Sequence, residues 1–114
     1  MTDMKISELC TALDAEVLAE GDKERDVTKA TAGDLLSFVM GSAQEGAAWV
    51  TIQAHLNTAA VAVLKDLPVI IIAAGRTVPE DLVERCKKED ICVASVKTTM
   101  FRTCAKLAEL GIGE

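Results

Sequence analysis

A chain of 114 residues is long enough for one hydrophobic core and too short for a second domain with a core of its own. Half of its residues are hydrophobic but only 3% are aromatic, which excludes a disordered tail and requires a core of Ala, Val, Leu and Ile, the composition of strands covered on both faces. A net charge of −6 with scattered Lys and Arg excludes the clustered positive potential that a nucleic-acid binder needs to displace counterions from phosphates.

Ile6, Leu9, Cys10 and Leu13 recur at helical spacing and predict a first helix, opened by Ser7 and Glu8. Glu16–Ala19 reads as a short strand closed by Gly21 and Asp22, and residues 23–26 as a loop. Residues 27–32 alternate and are rich in β-branched side chains, so they read as one strand. Asp34 is placed to cap a helix whose apolar face is Leu35, Leu36, Val39 and Met40, with Gly41 ending it. After the Gln44-Glu45-Gly46 turn, residues 48–52 carry little charge and predict a central strand. From His55 the pattern is helical, with Leu56, Ala59, Ala60, Val63 and Leu64 as its face and Pro68 bounding it.

Residues 69–73 are apolar on both faces and form the strongest strand candidate. Pro79 opens the next helix, Glu80 and Asp81 complement its N-terminal dipole, and Lys87 and Lys88 its C-terminal end. Residues 91–95 are a further buried strand. Thr98 or Thr99 caps a last helix with the face Phe101, Cys104, Leu107, Ala108 and Leu110, and residues 111–114 are expected to fray. The second half thus alternates strand and helix, which implies right-handed crossovers. The expected fold class is α/β, a three-layer α/β/α sandwich with a mostly parallel sheet of about four or five strands in a single domain.

The N-terminal Met1-Thr2-Asp3-Met4-Lys5 has no basic region followed by an apolar run, and the longest apolar run, residues 67–74, is too short to span a bilayer. A cytoplasmic location is expected, with no membrane partner. The four cysteines, Cys10, Cys86, Cys92 and Cys104, lack the spacing of a zinc or redox motif and read as free, buried thiols. A metal or cluster site built from Cys86, Cys92 and Cys104 is the alternative. No Walker loop, GxGxxG fingerprint or nucleophile elbow occurs, so no catalytic residue, metal or cofactor is expected. His55 with Asp34 could serve as a base and its orienter, but no nucleophile accompanies them.

In an open parallel sheet, ligands bind beyond the carboxyl ends of the strands, beside helix N-termini. Gly33, Asp34 and Ser37 follow one strand; Gln53, His55 and Asn57 the next; Gly75, Arg76 and Thr77 the third; Lys97, Thr98 and Thr99 the last. If the strands are parallel these groups share one rim, which Gly33 and Asp34 join only if their strand runs with the others. Structural roles compete at several positions. Asp34 and Thr98 or Thr99 suit helix caps, Asn57 could cap its helix and leave His55 free, and Arg76 could pair with Glu80 or Asp81.

One family resemblance rests on Trp49-Val50-Thr51-Ile52-Gln53, His55-Leu56-Asn57, residues 60–64, residues 70–76 with Pro79, Ile91-Cys92-Val93, Thr98-Thr99 and residues 107–112, together with Gly33-Asp34-Leu35-Leu36-Ser37. In these the chain resembles a stand-alone DRTGG domain, a family similar to the N-terminal domain of HPr kinase/phosphorylase. The family also occurs inside some phosphotransacetylases and CBS-containing pyrophosphatases. The resemblance implies a compact α/β regulatory domain that acts beside enzymes without doing their chemistry, with a hydrogenase or redox-signalling system of anaerobes as one context. Ala73-Ala74-Gly75 stands where the family has Thr-Gly-Gly, and Gln53-Ala54-His55 where it has Asp-Arg. The catalytic domain of HPr kinase is absent from these residues.

The expectation is a non-catalytic regulatory module that binds a small anionic ligand or nucleotide through Gly33, Asp34, Gln53, His55, Asn57, Gly75, Arg76, Thr98 and Thr99. The alternatives are an interaction module that forms a homodimer or docks on a partner enzyme, and a cysteine-based redox or metal sensor.

Overall fold

The computed structural model describes residues 3–113. In chain order the elements are β1 (Met4–Lys5), α1 (Ile6–Ala12), β2 (Glu16–Ala19), β3 (Asp26–Val27), β4 (Ala30–Ala32), α2 (Leu36–Ser42), β5 (Ala48–Thr51), α3 (Leu56–Lys65), β6 (Val69–Ile72), α4 (Glu80–Lys88), β7 (Cys92–Ser95) and α5 (Met100–Glu109). Among the described residues the main sheet has five strands in the order β2-β7-β6-β5-β4. β4, β5, β6 and β7 run parallel, whereas the edge strand β2 runs antiparallel to β7. β1 and β3 form a separate two-stranded antiparallel ribbon. No helix among the described residues is long and apolar enough to cross a membrane.

The sequence of β6 explains why this sheet needs cover on both sides. Successive strand residues point to opposite faces. Ile70 and Ile72 enter a core with Trp49 and Val93 beneath α2, α3 and α4, where Val39, Ala59, Ala62, Leu82 and Cys86 meet them. Val69 and Ile71 enter the opposite core with Ala48, Val50 and Ala94, closed by Ile6, Leu9 and Cys10 of α1 and Leu107 of α5. The result is the expected three-layer α/β/α sandwich.

Several local expectations need correction. Residues 27–32 do not form one strand. Val27 pairs antiparallel with Met4 and is fully buried, while exposed Thr28 and Lys29 turn the chain so that Ala30 joins β5. Gly41 lies inside α2, which runs on to Ser42.

The apolar faces assigned to α3 and α5 are rotated. α3 buries Thr58, Ala59, Val61 and Ala62, leaving Leu56, Val63 and Leu64 exposed. α5 buries Thr103 and Leu107, leaving Phe101 exposed. Small residues let a helix lie close to the sheet, and the two threonines tolerate burial because each hydroxyl donates to a nearby carbonyl. Thr58 Oγ1 reaches the Gln53 carbonyl at 2.8 Å and Thr103 Oγ1 the Thr99 carbonyl at 2.8 Å.

The C-terminal segment is not frayed through residue 113. Ile112 is buried in the α1/α5 core, and the Ala30 N–H donates to the Gly113 carbonyl at 2.9 Å. Glu114, also assigned to the frayed end, lies outside the described residues, as do Met1 and Thr2. The set Cys86, Cys92 and Cys104 does not converge, because Cys86 belongs to one core and the other two to the core on the opposite face of the sheet.

Candidate functional site

Because β4 to β7 are mutually parallel, the segments that follow them emerge on one rim. The condition on Gly33 and Asp34 is therefore met. Strand order nevertheless divides the rim into two ends, one after β4 and β5 and the other after β6 and β7.

At the β4–β5 end the polar groups satisfy one another. Asp34 does not cap α2, whose N-cap is Leu35 without a side-chain bond. Its Oδ1 instead accepts from Thr51 Oγ1 and from the Ile52 N–H, each at 2.8 Å. Trp49 Nε1 donates to the Gly33 carbonyl at 2.9 Å. His55, not Asn57, caps α3: its Nδ1 accepts from the Asn57 N–H at 3.3 Å. Its Nε2 lies 3.0 Å from Gln53 Oε1, so the tautomer protonated at Nε2 completes both bonds. Gly33, Asp34, Gln53, His55 and Asn57 thus form a lock that ties the end of β5 to the starts of α2 and α3.

Asp34→Ala would leave the buried Thr51 O–H, whose oxygen still accepts from the Gln53 N–H, and the Ile52 N–H without an acceptor. The expected loss is about 2 kcal/mol, read as a lower midpoint in urea unfolding, and Asp34→Asn, which keeps an acceptor oxygen, should lose about half as much. Equal stability of wild type and Asp34→Ala would refute the lock.

The β6–β7 end is open. A cleft of about 870 Å³ is lined there by Arg76 and Lys97, by Asp14 and Glu16, and by an apolar wall that includes Leu18 and Val78. Gly75, Thr98 and Ser95 also line it. Its floor is held by backbone bonds between the two loops: the Ala74 N–H to the Thr98 carbonyl at 2.7 Å and the Gly75 N–H to the Val96 carbonyl at 2.9 Å. Ala74 and Gly75 both occupy the left-handed region, with φ of 64° and 62°. For Ala74 that conformation costs about 1 kcal/mol, and such strain concentrates where a backbone is held for a purpose.

Of the nine ligand-binding residues expected from sequence, Gly75, Arg76 and Thr98 line this cleft. Thr99 adjoins it but is used as the α5 cap, accepting from the Arg102 N–H at 3.1 Å. Asp14 and Glu16 were missed, since they reach the rim only because β2 is antiparallel and begins opposite Ser95, where the parallel strands end. Lys97, a rim residue by sequence that is not one of the nine expected ligand-binding residues, lines the cleft as well.

No family model and no curated protein matches the chain. A solved structure does, that of the CBS and DRTGG domains of the regulatory region of Clostridium perfringens pyrophosphatase in complex with an activator, diadenosine tetraphosphate, with a TM-score of 0.74 at 16% identity. The match covers 93% of this chain, which spans 46% of that one. The described residues therefore have an α/β fold shared with part of a CBS- and DRTGG-containing regulatory region.

Proposed function

We propose that the chain is a non-catalytic regulatory module whose cleft beyond β6 and β7 takes a nucleotide-like anion. The observation that carries this reading is the mixture of groups in that cleft. Arg76 and Lys97 suit phosphate oxygens, Asp14 and Glu16 suit ribose hydroxyls, and Leu18 with Val78 offers an apolar wall to a base. Gly75 brings the backbone close, and Thr98 supplies a hydroxyl. The regulatory region that shares this fold was solved with a dinucleoside polyphosphate activator, which is a ligand of the same chemical class. The likeness to a stand-alone DRTGG domain, akin to the N-terminal domain of HPr kinase/phosphorylase and acting in the cytoplasm, belongs to the same reading.

Titration with diadenosine tetraphosphate, AMP and inorganic phosphate, followed by melting temperature and calorimetry, tests it. Ligand at 100 times its Kd stabilises the native state by about 2.7 kcal/mol, which for a domain of this size raises the melting temperature by on the order of 10 °C. Arg76→Ala with Lys97→Ala should weaken binding at least tenfold, while His55→Ala should leave affinity unchanged. An unaltered affinity in the double variant, or no shift with any of the three, would remove the reading.

A second reading is favoured by exposed apolar side chains on adjacent helices. Phe38 of α2 is 62% exposed and Leu64 of α3 is 71% exposed. Exposed apolar side chains of this kind suit docking on a partner enzyme or a second copy of the chain. Sedimentation of wild type and Phe38→Asp/Leu64→Asp distinguishes it: a dimer that the double variant dissolves supports docking, and a monomer at all concentrations argues against self-association.

A further inference from the structure

Cys10 in α1 and Cys92 at the start of β7 are 82 positions apart in sequence, yet their Sγ atoms lie 4.0 Å apart. Both are buried in the core beneath α1 and α5. They are not sealed from solvent. A cleft of about 300 Å³, which adjoins the cleft beyond β6 and β7 at Ala15, is lined by both cysteines and by Thr11, Val17, Glu20 and Lys23, which are exposed. A hydrogen peroxide molecule fits that volume easily. The other two thiols lack this arrangement: Cys86 lies on the far face of the sheet, and neither Cys86 nor Cys104 lines the cleft.

We propose that Cys10 and Cys92 are a redox modification site, closed to an intramolecular disulfide by a peroxide that enters this cleft. In the first step the Cys10 thiolate attacks one peroxide oxygen, the O–O bond breaks, and the departing hydroxide takes a proton and leaves as water; the product is a Cys10 sulfenic acid. In the second step Cys92 sulfur attacks the Cys10 sulfur, the S–O bond breaks, and the thiol proton leaves with the hydroxyl as water. Two thiols and one peroxide thus give one disulfide and two waters, with the peroxide reduced by two electrons.

The division of roles follows from position: Cys10 sits on the short outer helix α1 and keeps 4% exposure, against 1% for Cys92 in the sheet. The sulfur–sulfur contact, in which either thiol can donate, goes with a Cys10 thiol below its ordinary range and a Cys92 thiol above it, while burial pushes Cys86 up to about 11. A disulfide needs its sulfurs at about 2.05 Å, so the pair must close by roughly 2 Å through side-chain rotation and a small approach of α1. α1 is seven residues long and packs on one side only, the side bearing Ile6, Leu9 and Cys10.

The test treats the folded full chain with hydrogen peroxide, blocks the remaining thiols by alkylation, and maps the products by proteolysis and mass spectrometry. The expected product has lost two of its four free thiols, is two hydrogens lighter, and yields one cross-linked peptide joining Cys10 to Cys92. Closing so long a loop should raise the melting temperature by on the order of 10 °C, reversibly with dithiothreitol. In Cys92→Ser the reaction should stop at a Cys10 sulfenic acid trapped by dimedone. Should that variant fail to fold, Cys86→Ala/Cys104→Ala serves instead and must still give the cross-link. Preferential oxidation of Cys104, sulfinic acid on Cys10 without a cross-link, or thiols that react only after unfolding would each overturn the proposal.

Discussion

Trp49→Ala is expected to lower stability by about 4 kcal/mol and the melting temperature by roughly 20 °C, the largest effect of any single truncation in this core. Trp49 is the only tryptophan in the chain and is fully buried in the middle of β5. Its ring fills the layer beneath α2, α3 and α4, where the other contributors are small or aliphatic, so nothing nearby is large enough to refill the space. The indole also holds the Gly33 carbonyl at 2.9 Å, immediately before Asp34 bonds the end of the same strand. Truncation therefore removes a large apolar volume and one pin of the lock. Trp49→Phe keeps a six-membered ring in the layer while losing the bond to Gly33 and the volume of the indole's second ring, so an intermediate loss of about 1–2 kcal/mol is expected. Both are measured by urea unfolding followed by circular dichroism, since the substitution deletes the fluorophore. A loss below about 1.5 kcal/mol for Trp49→Ala would mean that the core collapses around the gap, contrary to the close packing of this layer.

What the sequence made legible and what it concealed divide along the range of the interactions. β5, β6 and β7 are apolar on both faces, and that local signal is sufficient to predict central parallel strands. The rim at their carboxyl ends follows from the same rule. Thr58 and Thr103 count as polar in any periodicity, yet each is buried because a backbone carbonyl one turn away accepts its hydroxyl, and so both helix faces are displaced by a residue or two. Asp34 has the local signature of a helix cap, but its partners Thr51 and Ile52 lie 17 and 18 residues on, and the longer-range bonds prevail. The direction of β2 has no local signature at all. Asp14 and Glu16 reach the cleft because of that direction, just as Cys10 meets Cys92 only because α1 is laid over β7.

Gly21→Ala is expected to destabilise the chain by about 3 kcal/mol and to detach the strand that walls the cleft beyond β6 and β7. Gly21 follows β2 with φ of +56°, and a methyl group there would overlap the Cys92 backbone nitrogen and stand 2.7 Å from the Ile91 carbonyl carbon. Both are backbone atoms at the start of β7, which is held by β6 on its other side, so they cannot yield as the tip of a flexible side chain could. The left-handed backbone contributes about 1 kcal/mol and the overlap a further 1–3 kcal/mol. Gly75→Ala isolates the first contribution. Its φ is +62°, but the nearest atoms to an added Cβ are 4.0 Å away, so it should lose only about 1 kcal/mol. The relief available to Gly21→Ala is separation of β2 from β7, an edge pairing that already shifts register between Val17 and Ala19. Amide exchange should therefore quicken in β2 before it quickens in β5 or β6. Since Glu16 and Leu18 of β2 line the cleft, nucleotide affinity should fall together with β2 protection, even under conditions where the variant remains folded. Equal losses in Gly21→Ala and Gly75→Ala would show that the close approach to β7 contributes nothing, and unchanged affinity with an unprotected β2 would separate the cleft from this strand.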